Sequence, residues 1–175
     1  MSKKIPFETT LEVRDACLCL HIQRAARALA RRFDDALRPL GLTNGQFSLL
    51  MAVNRPEPPA IGPVAQLLAM DRTTLTAALK PLERSGLITV STDANDRRSR
   101  LLTLTNKGHQ LLASALPVWR HAHATVEASL IALHPDDLRI NLQALSGRQE
   151  SPQLNAEPVP TTSPAVQLDS TSVAL

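Results

Sequence analysis

Six residues between positions 72 and 80 carry side chains suited to a structured polyanion. They are Arg72, Thr73, Thr74, Thr76, Ala77 and Lys80. On a helix they share one face, and Leu75, Ala78, Leu79 and Leu82 share the other. Arg72 can fork onto a guanine edge, and Lys80 can meet a phosphate as a point charge. Short Thr and Ala side chains let a helix come close to a base edge, and their methyl groups suit thymine. Further along, Asp96, Arg97, Arg98 and Arg100 form a second, mostly basic group. A face of this kind is often merely solvated, so its meaning rests on what surrounds it.

Cys17, Cys19 and His21 form a third group. On one helix the two thiols point to different sides, which disfavours a disulfide between them. Three roles stay open at this point. Free thiols pack as small apolar groups, they react with oxidants or other thiol-reactive effectors, or Cys17 joins His21 at i+4 in ligating a metal. The other histidines, His109, His121, His123 and His134, do not fall at a metal-binding spacing, and no metal or cofactor is expected.

The elements that position these groups follow from periodicity and punctuation. Residues 9–40 read as one long helix, opened by a Thr9–Glu12 capping box and stopped by Pro39 and Gly41. Thr43 and Gln46 open a second helix. The RPEPP run at 55–59 breaks the pattern, and Pro63 sits where a third helix begins. Asp71 caps the helix of residues 72–85, which ends at Gly86 and contains Pro81, where a bend or a lost hydrogen bond is expected. LITVS (87–91) and RLLTLT (100–105) read as strands joined by the loop TDANDRRS. Thr105 caps a long helix reaching Leu133, with a kink expected at Pro117, and Pro135 opens a short last helix. The order places both basic groups in one unit, a helix-turn-helix with a hairpin wing. The fold class is therefore mainly α with a small β-hairpin.

Composition limits the alternatives. The chain has 175 residues, 43% hydrophobic but only 2% aromatic, so its apolar content is largely Leu and Ala, which suits helices. Net charge is +3; residues 148–175 hold one arginine against three acids, a net of −2, leaving +5 for the remainder. A basic folded part suits a polyanionic partner. No apolar run is long enough to span a membrane and no signal segment opens the chain, so a cytoplasmic location is expected. No phosphate loop, nucleophile elbow or zinc-protease motif is present, so no enzyme is expected. Residues 147–175 contain four prolines and seven Ser or Thr, and read as a disordered tail.

The segments GLTNGQFSLLMAV (41–53), LLAMDRTTLTAALKPLERSGLI (67–88) and DRRSRLLTLTNKG (96–108) resemble the MarR family of winged helix-turn-helix transcription regulators. The resemblance covers roughly residues 10–146. It implies a homodimer on double-stranded DNA, acting as an effector-responsive repressor at a pseudo-palindromic operator. It implies that the 72–85 helix reads the major groove, that Arg98 enters the minor groove from the wing, and that Asp96 orients it. The implied division is a dimerisation helix at 1–42, the DNA-binding unit at 43–108, dimerisation helices at 109–146 and the tail at 147–175. Small aromatic anions are the effectors the family suggests. Cys19 lies 24 residues before Thr43, about where hydroperoxide sensors of the family carry their thiol; the tyrosines that attend it there are absent here. The competing function is a winged helix that binds protein rather than DNA.

Overall fold

Pro6, in an extended conformation, sets the chain entry, and α1 (Phe7–Ala16) begins directly after it with no side-chain cap. The computed structural model describes residues 4–147, so the expected tail at 147–175 lies, beyond Gly147, outside the described residues. The expected Thr9–Glu12 box does not open the helix, because Pro6 starts it earlier and places both residues inside α1. The expected single helix is also divided. Cys17 takes φ −74°, ψ 103°, which is not helical, and its Sγ accepts from the Leu20 amide at the start of α2 (Leu18–Leu37). A single 3₁₀ turn, Arg38–Leu40, closes this segment.

Thr43 forms the expected capping box with Gln46 and starts α3 (Asn44–Val53), whose Phe47, Leu49, Leu50, Ala52 and Val53 are buried. Asp34 of α2 reaches the same helix start, where its Oδ1 accepts from the Asn44 amide at 2.7 Å. The proline run leaves the helix as expected, but it is not idle. Pro59 accepts from the Leu102 amide at 2.9 Å and Ala60 bridges Leu101. Proline can do this on a strand edge because its carbonyl is intact though its N–H is missing.

The short helix α4 (Ile61–Leu67) and the longer α5 (Arg72–Arg84) are joined by a turn in which Ala69 takes φ +51°. That left-handed conformation costs a non-glycine residue about 1–2 kcal/mol, so packing on both sides must hold it. Pro81 does not interrupt α5, and Pro117 does not interrupt α6 (Asn106–Ala128). Each proline lacks the N–H that would bond within its helix, the lost hydrogen bond that was one of the two outcomes expected at Pro81. Gly86, at φ +67°, ends the α5 segment and turns the chain into β1 (Ile88–Thr92). β1 pairs antiparallel with β2 (Arg100–Leu104), from Ile88 opposite Leu104 to Thr92 opposite Arg100. α6 is shorter than expected. Its last turn tightens through the Ser129-to-Val126 and Leu130-to-Glu127 bonds, which leaves Leu130 and Leu133 beyond its end.

One core gathers side chains from every element between α2 and α6. Leu37, Leu50, Val64, Leu75, Leu82, Ile88 and Leu102 are its largest fully enclosed side chains. Burying a Leu or Ile stabilises by about 1.5–3 kcal/mol each, so this core is what holds α5 and the hairpin to the scaffold. Contacts divide the chain into two units, Met1–Ile131 and Ala132–Leu175. The first contains α1 to α6; α7 (Pro135–Leu145), opened by His134 and Pro135, belongs to the second.

Candidate nucleic-acid interface

The geometry starts at Asp71. Its Oδ1 accepts from the Thr74 amide at 2.8 Å and its Oδ2 from the Thr74 hydroxyl at 2.5 Å. The Thr74 hydroxyl and then its amide hold the Asp71 carboxyl below the ordinary carboxylate range. The cap satisfies an otherwise orphaned N–H and fixes where α5 begins. From that start, Leu75, Leu79 and Leu82 are buried, and Arg72, Thr73, Thr74, Thr76, Ala77 and Lys80 are all exposed. Five of the six, Arg72, Thr73, Thr76, Ala77 and Lys80, line one shallow depression of about 350 Å³. The sixth, Thr74, has its hydroxyl proton committed to the cap, and Thr76 donates its own to the Arg72 carbonyl at 2.7 Å. What these threonines present outward is therefore methyl groups and acceptor oxygen.

Arg72 lies against Gly62 of α4: a Cβ built on that glycine would stand 3.2 Å from an Arg72 guanidinium nitrogen. The absent side chain at 62 leaves the guanidinium its place. Among the described residues, no carboxylate pairs with Arg72, Lys80, Arg97 or Arg98. Their charge faces water, and an approaching anion need not displace an internal partner.

The wing is a tight polar turn. Asp93 accepts from the Asn95 amide at 2.8 Å, the Ser99 amide donates to the Asp96 carbonyl at 2.8 Å, and the Asp93 amide donates to the Ser99 carbonyl at 3.1 Å. Asp96 Oδ1 accepts from the main-chain N–H of Arg98 at 3.0 Å. In this structure Asp96 thus acts on Arg98 through the backbone, and both Arg97 and Arg98 are exposed at the tip. Arg100 stands apart. It sits where the strands meet the loop and donates to the Thr92 hydroxyl across the strands at 2.5 Å.

Sequence reasoning missed how the wing is fastened. Thr105 caps α6 and also donates to the Gly86 carbonyl at 2.7 Å, while Lys107 donates to the Ser85 carbonyl at 2.8 Å. Gly108 packs directly on the Leu87 carbonyl. The T-N-K-G string was visible in the sequence, but not that it closes on the end of α5.

The third group is not brought together. Cys17 is half-buried at the α1–α2 junction. Cys19 is exposed, and its Sγ accepts from Gln23 Nε2 at 3.2 Å. His21 Nε2 turns to the Asp15 carbonyl at 3.1 Å rather than to either thiol. Among the described residues, no three His, Cys, Asp or Glu side chains converge as a metal site.

The MarR family profile matches residues 42–99, which run from the start of α3 to the wing. The transcriptional repressor MprA of Escherichia coli K12 is 30% identical over 135 residues, covering 76% of this chain and 73% of that protein. The chain belongs to the MarR family. The transcriptional regulator MosR of Mycobacterium tuberculosis, solved in complex with DNA, is 37% identical with a TM-score of 0.69 over 75% of this chain and 94% of that one. The organic hydroperoxide resistance regulator of Bacillus subtilis is 30% identical over 58% of this chain and 69% of its own length. Against the transcriptional activatory protein BadR of Rhodopseudomonas palustris, 33% identical, the chain spans only 55% of that protein's length. These relatives are transcription regulators rather than enzymes, and the fold of this MarR-family chain is the winged helix they share.

Proposed function

We propose that this MarR-family protein is a homodimeric repressor that binds a pseudo-palindromic operator in duplex DNA and releases it in response to an effector. The observation that carries the reading is the outer face of α5, where Arg72, Thr73, Thr76, Ala77 and Lys80 border one depression and Arg72 and Lys80 have no carboxylate partner among the described residues. α5 enters the major groove with Arg72 and the threonines toward base edges, and the wing sets Arg97 and Arg98 on the backbone and the minor groove. Arg100 serves the hairpin first and the DNA second. That the similar regulator MosR was solved in complex with DNA supports duplex DNA as the partner.

The dimer follows from apolar surface that the chain does not cover itself. Phe7 is 68% exposed, Leu18 66%, Ile22 37% and Leu29 38%. A second copy related by a two-fold axis would cover them, which gives α1, α2 and the C-terminal helices their dimerisation role. Half-sites then fall about 10 bp apart, one turn of duplex. Among the described residues no helix is long and apolar enough to cross a membrane, in keeping with a regulator acting in the cytoplasm.

The test separates the two basic groups. On an operator selected by the protein from a random duplex pool, Arg72→Ala is expected to lose about 1–3 kcal/mol per half-site, because one bidentate base contact disappears in each. On random duplex it should lose much less. Arg98→Ala is expected to weaken both and to lower the salt slope by about 0.9 per protomer, the value for one phosphate on each half-site. The assignment fails if Arg72→Ala weakens operator and random DNA equally while Arg98→Ala changes base preference. If the wild-type protein shifts no duplex at any salt, the protein-interaction reading replaces this one.

A second reading concerns the effector. Cys19 is exposed, and a relative is a regulator of organic hydroperoxide resistance, which together favour an oxidant or thiol-reactive signal over a small aromatic anion. Sulfenic acid or mixed-disulfide formation at Cys19 would shift α2 and change the separation of the two α5 helices. Hydroperoxide is expected to lower operator affinity in the wild type and in Cys17→Ser, and to leave Cys19→Ser unaffected. Equal sensitivity of all three proteins would remove Cys19 from the mechanism.

A further inference from the structure

A second cationic surface lies on α2, away from the winged helix. His21, Arg24, Ala25, Arg27, Ala28 and Arg31 line one open groove of about 650 Å³. Arg24, Arg27 and Arg31 are exposed, and among the described residues no carboxylate pairs with any of them. Arg27 finds only the Gln23 side-chain oxygen, at 3.4 Å. Arg24 and Arg27 are i,i+3, and Arg27 and Arg31 are i,i+4, so like charges stand beside each other along one stripe. Such spacing works against the helix unless an anion neutralises it.

The position of the stripe narrows what that anion is. By helical geometry it lies on the side of α2 away from Leu18, Ile22 and Leu29, the exposed apolar positions. A second copy covering those positions leaves the arginines facing out. Small-ligand sites are concave and mostly apolar, and they bury most of the ligand. A groove along one helix, walled by guanidinium groups, does not. It suits an extended polyanion instead. From Arg24 to Arg31 the helix advances about 10 Å, at 1.5 Å per residue. Duplex DNA carries one phosphate per roughly 1.7 Å of axis, so several fall within that length. Ala25 and Ala28 keep the floor low, and each arginine can fork onto a phosphate.

We propose that this face of α2 binds phosphates of duplex DNA outside the segment read by α5. The proposal rests on the DNA-binding reading above, and the experiment keeps the two apart. The full chain is compared with its triple variant Arg24→Gln, Arg27→Gln, Arg31→Gln on two duplexes carrying the same selected operator. One duplex is trimmed to the protected length. The other extends about two helical turns, roughly 20 bp, on each side. The readout is the slope of log K against log salt. On the trimmed duplex the two proteins share one slope. On the extended duplex the wild type is steeper by up to about 5.4, the value for three phosphates per protomer of the dimer, and the variant is not. Equal slopes on the extended duplex overturn the proposal. So does a change in sedimenting mass, which would mean that the arginines pair with an acidic face of a second copy. The variant's melting temperature should hold or rise, because like charges have been removed. A fall of several degrees would make the arginines part of the fold and overturn the proposal as well. Failure of the wild type on the trimmed duplex would sink the DNA reading itself.

Discussion

Gly108→Ala is expected to destabilise the folded protein by about 3 kcal/mol, the upper part of the range for overpacking a filled site. A Cβ at position 108 would stand 2.2 Å from the Leu87 carbonyl oxygen. Even a close carbon–oxygen contact needs about 3.3 Å, so more than 1 Å of movement is required. The obstacle is backbone, not a side chain that could swing away. That carbonyl already accepts from the Thr105 amide at 3.1 Å, so moving it also strains the joint between β1 and α6. For a chain of this size the loss corresponds to a melting temperature lower by about 6–12 °C. Operator affinity should fall too, because the same joint sets the base of the wing. Gly45→Ala is the control. Nothing lies within 4 Å of a Cβ there, and the residue is inside α3. It should melt at or above the wild-type temperature, since alanine is the better helix former by about 0.5–1 kcal/mol. If Gly108→Ala melts with the wild type, the contact between α6 and β1 is not as close as described.

Two neighbouring residues of α5 should give opposite phenotypes. Leu75→Ala is expected to cost about 2–5 kcal/mol, because Leu75 is fully enclosed and its removal leaves a cavity among the other core side chains. Thr76→Ala is expected to change stability by less than about 0.5 kcal/mol, since its side chain is exposed. Binding reverses the order of importance. Well below its melting temperature, Leu75→Ala should keep its base preference, because every outward residue of α5 is still present. Thr76→Ala should lose discrimination at one base pair, because the methyl and acceptor oxygen it presents are gone. Thermal melting and a base-by-base binding profile decide the matter. A Thr76→Ala protein that melts early, beside a Leu75→Ala protein that melts normally, would mean that the two faces of α5 are exchanged.

The inner and outer faces of α5 were legible because they depend on local rules. Apolar residues at 75, 78, 79 and 82 define one side by periodicity alone, and Asp71 marks the helix start by its chemistry. Thr43 with Gln46, Thr105 and the two strands were readable on the same grounds. Each involves partners only a few residues apart, so the sequence contains both halves of the interaction. The resemblance to the MarR family was carried by the same segments.

What went wrong also has a local cause. Thr9 and Glu12 satisfied the capping pattern, but Pro6 starts the helix before them. Cys17 gives no propensity signal strong enough to mark a break, yet the chain leaves the helix there. Pro81 and Pro117 lie inside continuous helices, each without the one hydrogen bond that its missing N–H removes. The end of α6 at Ala128 was hidden by apolar residues that continue the pattern to Leu133.

By itself, then, the sequence determined the element types, the two faces of α5, the basic wing and the family. Tertiary structure alone decided that Asp34 holds the start of α3, that Pro59 edges the hairpin, that Gly62 makes room for Arg72 and that Gly108 seats on Leu87. It alone showed that Arg100 donates to Thr92 across the strands while Arg97 and Arg98 sit at the tip, and that the α2 arginines border one groove. The physical reason is range. Periodicity and capping act within a turn or two of helix. A carbonyl 21 residues away from the glycine that packs on it becomes a neighbour only once the core has closed around Leu50, Leu75 and Leu102.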